Sequence, residues 1–84
     1  MEPGLALQEF LEFVVGQLVV HPEKASVIHE KDGERHVYRV RVCQEDAGRV
    51  IGRNGYTISS IRSLFMAAAQ RNGIKAALKV DEMD

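Results

Sequence analysis

The stretch Val50-Ile51-Gly52-Arg53-Asn54-Gly55 decides how this chain is read. It is a Gly-x-x-Gly tetrapeptide with a base inside it, an apolar pair before it and a helical pattern after it. Glycines so placed allow a tight turn and let another backbone come close, because no Cβ stands in the way. The helix that follows starts with unpaired amides that carry partial positive charge. A turn of this kind at a helix start suits a phosphate. Alone the tetrapeptide says little, since glycine frequency produces one by chance in roughly four of ten chains this long. Apolar residues at Val50, Ile51, Ile58 and Ile61, each about a one-in-four match, cut that rate to roughly one in several hundred.

Working outward, Thr57 to Asn72 is predicted to be a helix. Ile58, Ile61, Leu64, Phe65 and Ala68 recur at spacings of three and four as an apolar face, and Asn72-Gly73 stops it. Residues 44–51 suit a short helix with Asp46 near its first turn. Residues 36–43 alternate as a strand, Tyr38, Val40 and Val42 on one face and Arg39 and Arg41 on the other. Ala25 to Lys31 reads as a second strand, joined to it through the Asp32-Gly33 turn signal as an antiparallel hairpin. Residues 5–20 have helical spacing at Leu7, Phe10, Leu11, Val14 and Leu18, with Phe13, Val15 and Val19 widening the apolar surface. His21-Pro22 ends that helix. Ala76, Leu78 and Val80 mark a last strand over 75–80, followed by an acidic tail, 81–84.

The order is α-β-β-α-α-β. Two helices between strands 36–43 and 75–80 permit parallel pairing. The expected fold is α+β, a three-stranded mixed sheet covered on one face by three helices. The chain reads as one domain of 84 residues: N-terminal helix and strand 5–31, core 36–80 and the tail.

The net charge is -1, yet it is unevenly placed. Residues 1–46 hold nine acids and five bases, whereas 47–80 hold six bases and no acid. A local basic patch matters more to a polyanion than the total does. No apolar run approaches the ~20 residues that span a bilayer, and no signal peptide is expected. The single Cys43 cannot form an internal disulfide, which fits a reduced, cytoplasmic setting.

Catalytic readings find little support. The glycines at 48, 52 and 55 lack dinucleotide-loop spacing, and no Lys-Ser/Thr follows them. His21, His29, His36 and Cys43 lie seven or eight residues apart rather than clustered, so no metal or cofactor is expected. Ser59 and Ser60 have no evident histidine partner.

Val50-Ile51-Gly52-Arg53-Asn54-Gly55 with Ile58 and Ile61 resembles the signature of the KH domain, a single-stranded nucleic-acid binder. The extra helix and strand on the N-terminal side resemble the bacterial type II arrangement. More closely, nearly the whole chain, including EDAGRVIGRNGYTISSIRSL, is similar to the KhpA family of small single-KH RNA-binding proteins. Asn54 and Tyr56 depart from that family's usual Gln or His and Arg or Lys; the tyrosine is suited to stack on a base. The resemblance implies that Gly52 and Gly55 admit phosphates, that Arg53 supplies charge and that Asn54 supplies a hydrogen bond. Ile51, Ile58 and Ile61, with apolar residues of strand 36–43, then line a groove that Arg49 and Arg62 flank. It further implies single-stranded RNA as the partner and a role as RNA chaperone or regulator linked to cell envelope and cell shape. Self-association as a homodimer, and pairing with a second KH protein of the KhpB (Jag-like) type, are implied too. The competing reading is a protein-interaction module that keeps the KH shape with little RNA binding.

Overall fold

The computed structural model describes residues 2–83, so Asp84 of the expected tail lies outside the described residues. Helix α1 (Pro3–Leu18) starts earlier than expected, because Pro3 occupies its first turn, where a missing N–H costs nothing. The Glu2 carboxylate accepts from the amides of Gly4 and Leu5 at 3.0 and 3.2 Å. The helix also stops two residues early. The amides of Val20 and His21 leave it and donate to the two carboxylate oxygens of Asp46, each at 3.0 Å.

Strands β1 (Ser26–Asp32) and β2 (Arg35–Cys43) form the expected antiparallel hairpin, Val27 opposite Val40 and Asp32 opposite Arg35. Helix α2 (Gln44–Ile51) and helix α3 (Tyr56–Arg71) then carry the chain to β3 (Lys75–Met83). β3 lies parallel to β2, with Tyr38 beside Leu78. The sheet order is β1-β2-β3, so β3 is an edge strand.

Strand β3 runs three residues past its expected end. Asp81 stands beside Arg41 in the parallel register and meets Arg39 at 3.5 Å and Arg41 at 3.9 Å. Backbone pairing and two neighbouring guanidiniums hold in the sheet a segment whose charges alone read as a tail. Arg39 also bonds Glu30 at 2.7 Å across the hairpin.

The core forms where the helices meet the inner sheet face. Leu7, Leu11 and Val15 from α1 pack on Tyr38, Val40 and Val42 of β2, with Val50 of α2 and Ile61 and Phe65 of α3. Each large apolar side chain so buried contributes about 1.5–3 kcal/mol. Tyr38 is fully buried and spends its hydroxyl on the Gly4 carbonyl at 2.8 Å. Its ring meets Phe65 edge-on at 5.2 Å and stacks on His29 at 4.4 Å. Leu64, read from its spacing as part of the apolar face, is 64% exposed. The buried line of α3 runs through Ile61, Phe65 and Ala69 instead, leaving Leu64 on a flank.

Candidate nucleic-acid interface

Helix α2 splits the apolar pair that precedes the glycine loop. Val50 is fully buried, whereas Ile51 turns outward at 39% exposure. The helix closes with the Gly52 amide donating to the Gly48 carbonyl at 2.8 Å. Gly52 then adopts φ 77° and ψ 170°, a conformation for glycine alone. Arg53, Asn54 and Gly55 make one 3₁₀ turn, closed by the Gly55 amide on the Gly52 carbonyl at 3.1 Å. Asn54 (φ 56°) and Gly55 (φ 76°) are left-handed, and asparagine tolerates that region better than most residues. Arg53 and Asn54 stand exposed at the tip.

The two glycines differ in what surrounds them. A Cβ on Gly52 would lie 2.6 Å from Thr57 Cβ and 2.8 Å from its amide nitrogen, and would overlap its hydroxyl. Gly52 therefore packs on the first turn of α3. A Cβ on Gly55 would point into open space. The first turn of α3 has no side-chain cap, so its amides face the loop.

Beyond the loop, Tyr56 is 69% exposed and Ile58 is half-buried. Ile51, Arg53, Asn54, Tyr56 and Ile58 thus gather around Gly52 and Gly55. Ile61 does not join them, being 6% exposed within the core. The groove wall also differs from expectation. Tyr38, Val40 and Val42 of strand 36–43 are at most 1% exposed, since β2 is the central strand and the helices seal it. The accessible wall is edge strand β3, with Val80 half-buried on it.

Arg62 spans the cleft between α3 and β3, its Nη2 donating to the Leu78 carbonyl at 3.3 Å. Past it, the cleft opens into a depression of about 580 Å³ lined by Arg35, Met66, Gln70, Ile74 and Lys75. The cleft therefore has a basic residue at its loop end, its middle and its far end. Arg49 is drawn back toward Asp46, Nε to Oδ1 3.6 Å. Lys75 and Lys79 were the available signal that β3 is an edge, because lysines guard exposed strand edges.

Asp46 sits beneath this arrangement, fully buried in the first turn of α2. Burial pushes its pKa up. The amides of Val20 and His21, the Cys43 thiol at 3.5 Å and the nearby His21 together outweigh that and hold it below 3.8. Among the described residues no group of three or more histidines, cysteines and acids is placed to hold a metal. No helix among them is long and apolar enough to cross a membrane.

Residues 8–80, which contain the loop and both walls of the cleft, match the family model described as KhpA/KhpB, KH domain. The chain belongs to this KH-domain family. Its α-β-β-α-α-β order is the type II KH arrangement, and it is not an enzyme. It is 32% identical over 76 residues to the RNA-binding protein KhpA of Chlamydia caviae, covering 90% of this chain and 97% of the relative. The protein of that name from Listeria monocytogenes is 34% identical over 76 residues, 90% of this chain and all of the relative. The Thermotoga maritima protein of that name is 38% identical over 61 residues, 73% of this chain and 81% of its own.

Proposed function

We propose that this KH domain binds single-stranded RNA along the cleft between α3 and β3, with the Gly52–Gly55 turn holding the RNA backbone. One observation carries the reading: the turn has Gly52, Asn54 and Gly55 at positive φ, with Arg53 at its tip, against the uncapped start of α3. KH loops clamp the backbone of about four nucleotides. Gly55 admits a phosphate to the main chain, Arg53 neutralises it and Asn54 donates a hydrogen bond. Bases then lie against Ile51 and Ile58, and Tyr56 stacks on one. A phosphate draws the Arg62 guanidinium from the Leu78 carbonyl at little cost, since the trade is one hydrogen bond for a charge-assisted one. Arg49, tied to Asp46, is a distant contributor.

The names of the relatives support this chemistry. The finer reading is a cytoplasmic RNA chaperone or regulator working beside a second KH domain, where two weak sites gain by effective concentration. The test is a titration of end-labelled single-stranded RNA, followed by fluorescence anisotropy at several salt concentrations. About three phosphate contacts give a log–log slope near -2. Binding that ignores salt overturns the phosphate cradle, and absence of binding favours the protein-interaction module.

A further inference from the structure

The far end of the cleft is the part that the turn does not use. Ile58, Arg62, Met66 and Gln70 follow one another at intervals of four along α3, which makes them one ridge on the helix surface. Arg62 fixes the direction of that ridge, because its Nη2 donates to the Leu78 carbonyl of β3. At 1.5 Å per residue, Met66 and Gln70 stand about 16 and 22 Å along the axis from Gly55. They form one side of the depression of about 580 Å³, and Ile74, Arg35 and Lys75 close the other. Pockets of about 300–1,000 Å³ are the size that small organic ligands fill.

The lining combines an apolar floor, an amide and two bases. Met66 is exposed and Ile74 half-buried, so the floor is apolar and carries a polarizable sulfur. Gln70 is exposed, and its amide offers two donors and an acceptor. Arg35 and Lys75 open β2 and β3 and are partners in the parallel register, so neighbouring strands set their backbones about 4.8 Å apart. Among the described residues, the carboxylate within 4 Å of either is that of Glu34, 3.8 Å from Lys75 Nζ. Both side chains of that pair are largely exposed, so it is worth little and yields to a phosphate.

We propose that this depression is a subsite for one further nucleotide of a single-stranded RNA, next to those held at the Gly52–Gly55 turn, a role that rests on the cleft being the RNA path. A KH loop clamps about four nucleotides. At the ~3.4 Å rise of a stacked strand these cover about 14 Å, and the depression begins about 16 Å from the turn. The next base lies against Met66 and Ile74, where sulfur meets the ring. Its edge meets the Gln70 amide, and Arg35 and Lys75 take the flanking phosphates. An amide that both donates and accepts pairs with the edge of any base, so the subsite sets the length of RNA bound rather than its sequence. A nucleotide uses the whole lining. An apolar peptide anchor leaves both cations unpaired, and a bare anion leaves Met66 and Ile74 in water.

The test is the affinity of the full chain for end-labelled oligouridines of four, five and six nucleotides, read by fluorescence anisotropy at several salt concentrations. Six nucleotides should bind about tenfold more tightly than four, the gain expected of one sulfur–ring contact and two exposed ion pairs. Two added phosphate contacts should steepen the log–log salt slope by about 1.4. Met66→Glu and Gln70→Ala should each cut the gain to about threefold, and Arg35→Ala with Lys75→Ala should remove the added slope. None of these should change the affinity for four nucleotides, because the turn is untouched. All four side chains are exposed, so thermal unfolding should match the wild type. Gly55→Asp, by contrast, should weaken every length alike. If four nucleotides bind and six bind no better, or the variants keep the whole gain or weaken all lengths equally, the subsite is overturned while the turn stands. If no length binds, the RNA path falls and the subsite with it.

Discussion

The two loop glycines make different predictions, although they occupy equivalent places in the Gly-x-x-Gly pattern. Gly55 is left-handed with open space where its Cβ would be. Asparagine or aspartate there costs about 1 kcal/mol of stability at most, because both visit the left-handed region. Aspartate also brings a charge to about 6 Å from a phosphate held by the turn. Coulomb's law at that distance gives about 0.7 kcal/mol in water and about 2.8 kcal/mol at a surface dielectric near 20. Gly55→Asp should therefore weaken single-stranded RNA binding between ~3-fold and ~100-fold, and high salt should narrow the gap. Gly55→Asn, nearly the same in shape but neutral, should stay within about 3-fold of wild type. Anisotropy titrations of the three proteins, beside their thermal unfolding curves, measure this directly. Equal weakening by asparagine and aspartate refutes the electrostatic account, and no weakening by either refutes the loop as the phosphate site. Gly52 is the contrasting case. Its conformation costs another residue about 1–3 kcal/mol, and a side chain must also displace Thr57. Gly52→Asp should lower the melting temperature by on the order of 10 °C, so a variant changed at both glycines confounds binding with folding.

Other consequences can be measured separately. Arg62→Ala should leave stability nearly unchanged, reduce RNA affinity several-fold and flatten the salt slope by about 0.7; an unchanged slope removes Arg62 from the RNA path. Asp46→Ala leaves the amides of Val20 and His21 without their acceptor and should lower the melting temperature by on the order of 10 °C. Tyr38→Phe removes a buried hydrogen bond to the Gly4 carbonyl, which keeps its place in the α1 ladder, and should cost about 1 kcal/mol in urea unfolding. Burial, then His36, holds the His29 pKa below 6.5, with Glu2 opposing and Lys31 adding to the depression. The unfolded chain therefore binds the proton more readily, so this contribution is complete above pH 6.5 and falls away as the pH drops toward the folded pKa. Urea unfolding at pH 7.5 and 5.5 should show the loss, and His29→Gln should reduce it.

Much of this molecule was legible in its residues. The Asp32-Gly33 turn and the alternation of Tyr38, Val40 and Val42 fixed the hairpin, and Ile58, Ile61 and Phe65 fixed the inner face of α3. What stayed hidden depends on partners distant in sequence. Asp81 joins the sheet because Arg39 and Arg41 come beside it. Val20 leaves α1 because a carboxylate 26 residues later takes its amide. Helical spacing put Leu64 among the apolar residues, but which apolar residue faces the core is set by a few tens of degrees of rotation. At the site, the loop was readable because glycine and helix-start chemistry are local. Its opposite wall was misplaced because strand order, which makes β2 central and β3 the edge, is a property of the assembled sheet.

The packing of Gly52 on Thr57 also bears on where selectivity arises. The turn is fixed before any ligand arrives, its amides already bonded at Gly52 and Gly55. Little conformational entropy remains for the protein to lose on association, so the ordering cost falls on the nucleic acid. A strand that is already stacked and extended gives up less freedom than a floppy one. Base preference can then arise from the stiffness of the RNA itself rather than from contacts with its base edges. On that account stacked adenine tracts should bind with a smaller entropy loss than uridine tracts of equal length, a difference that calorimetry resolves.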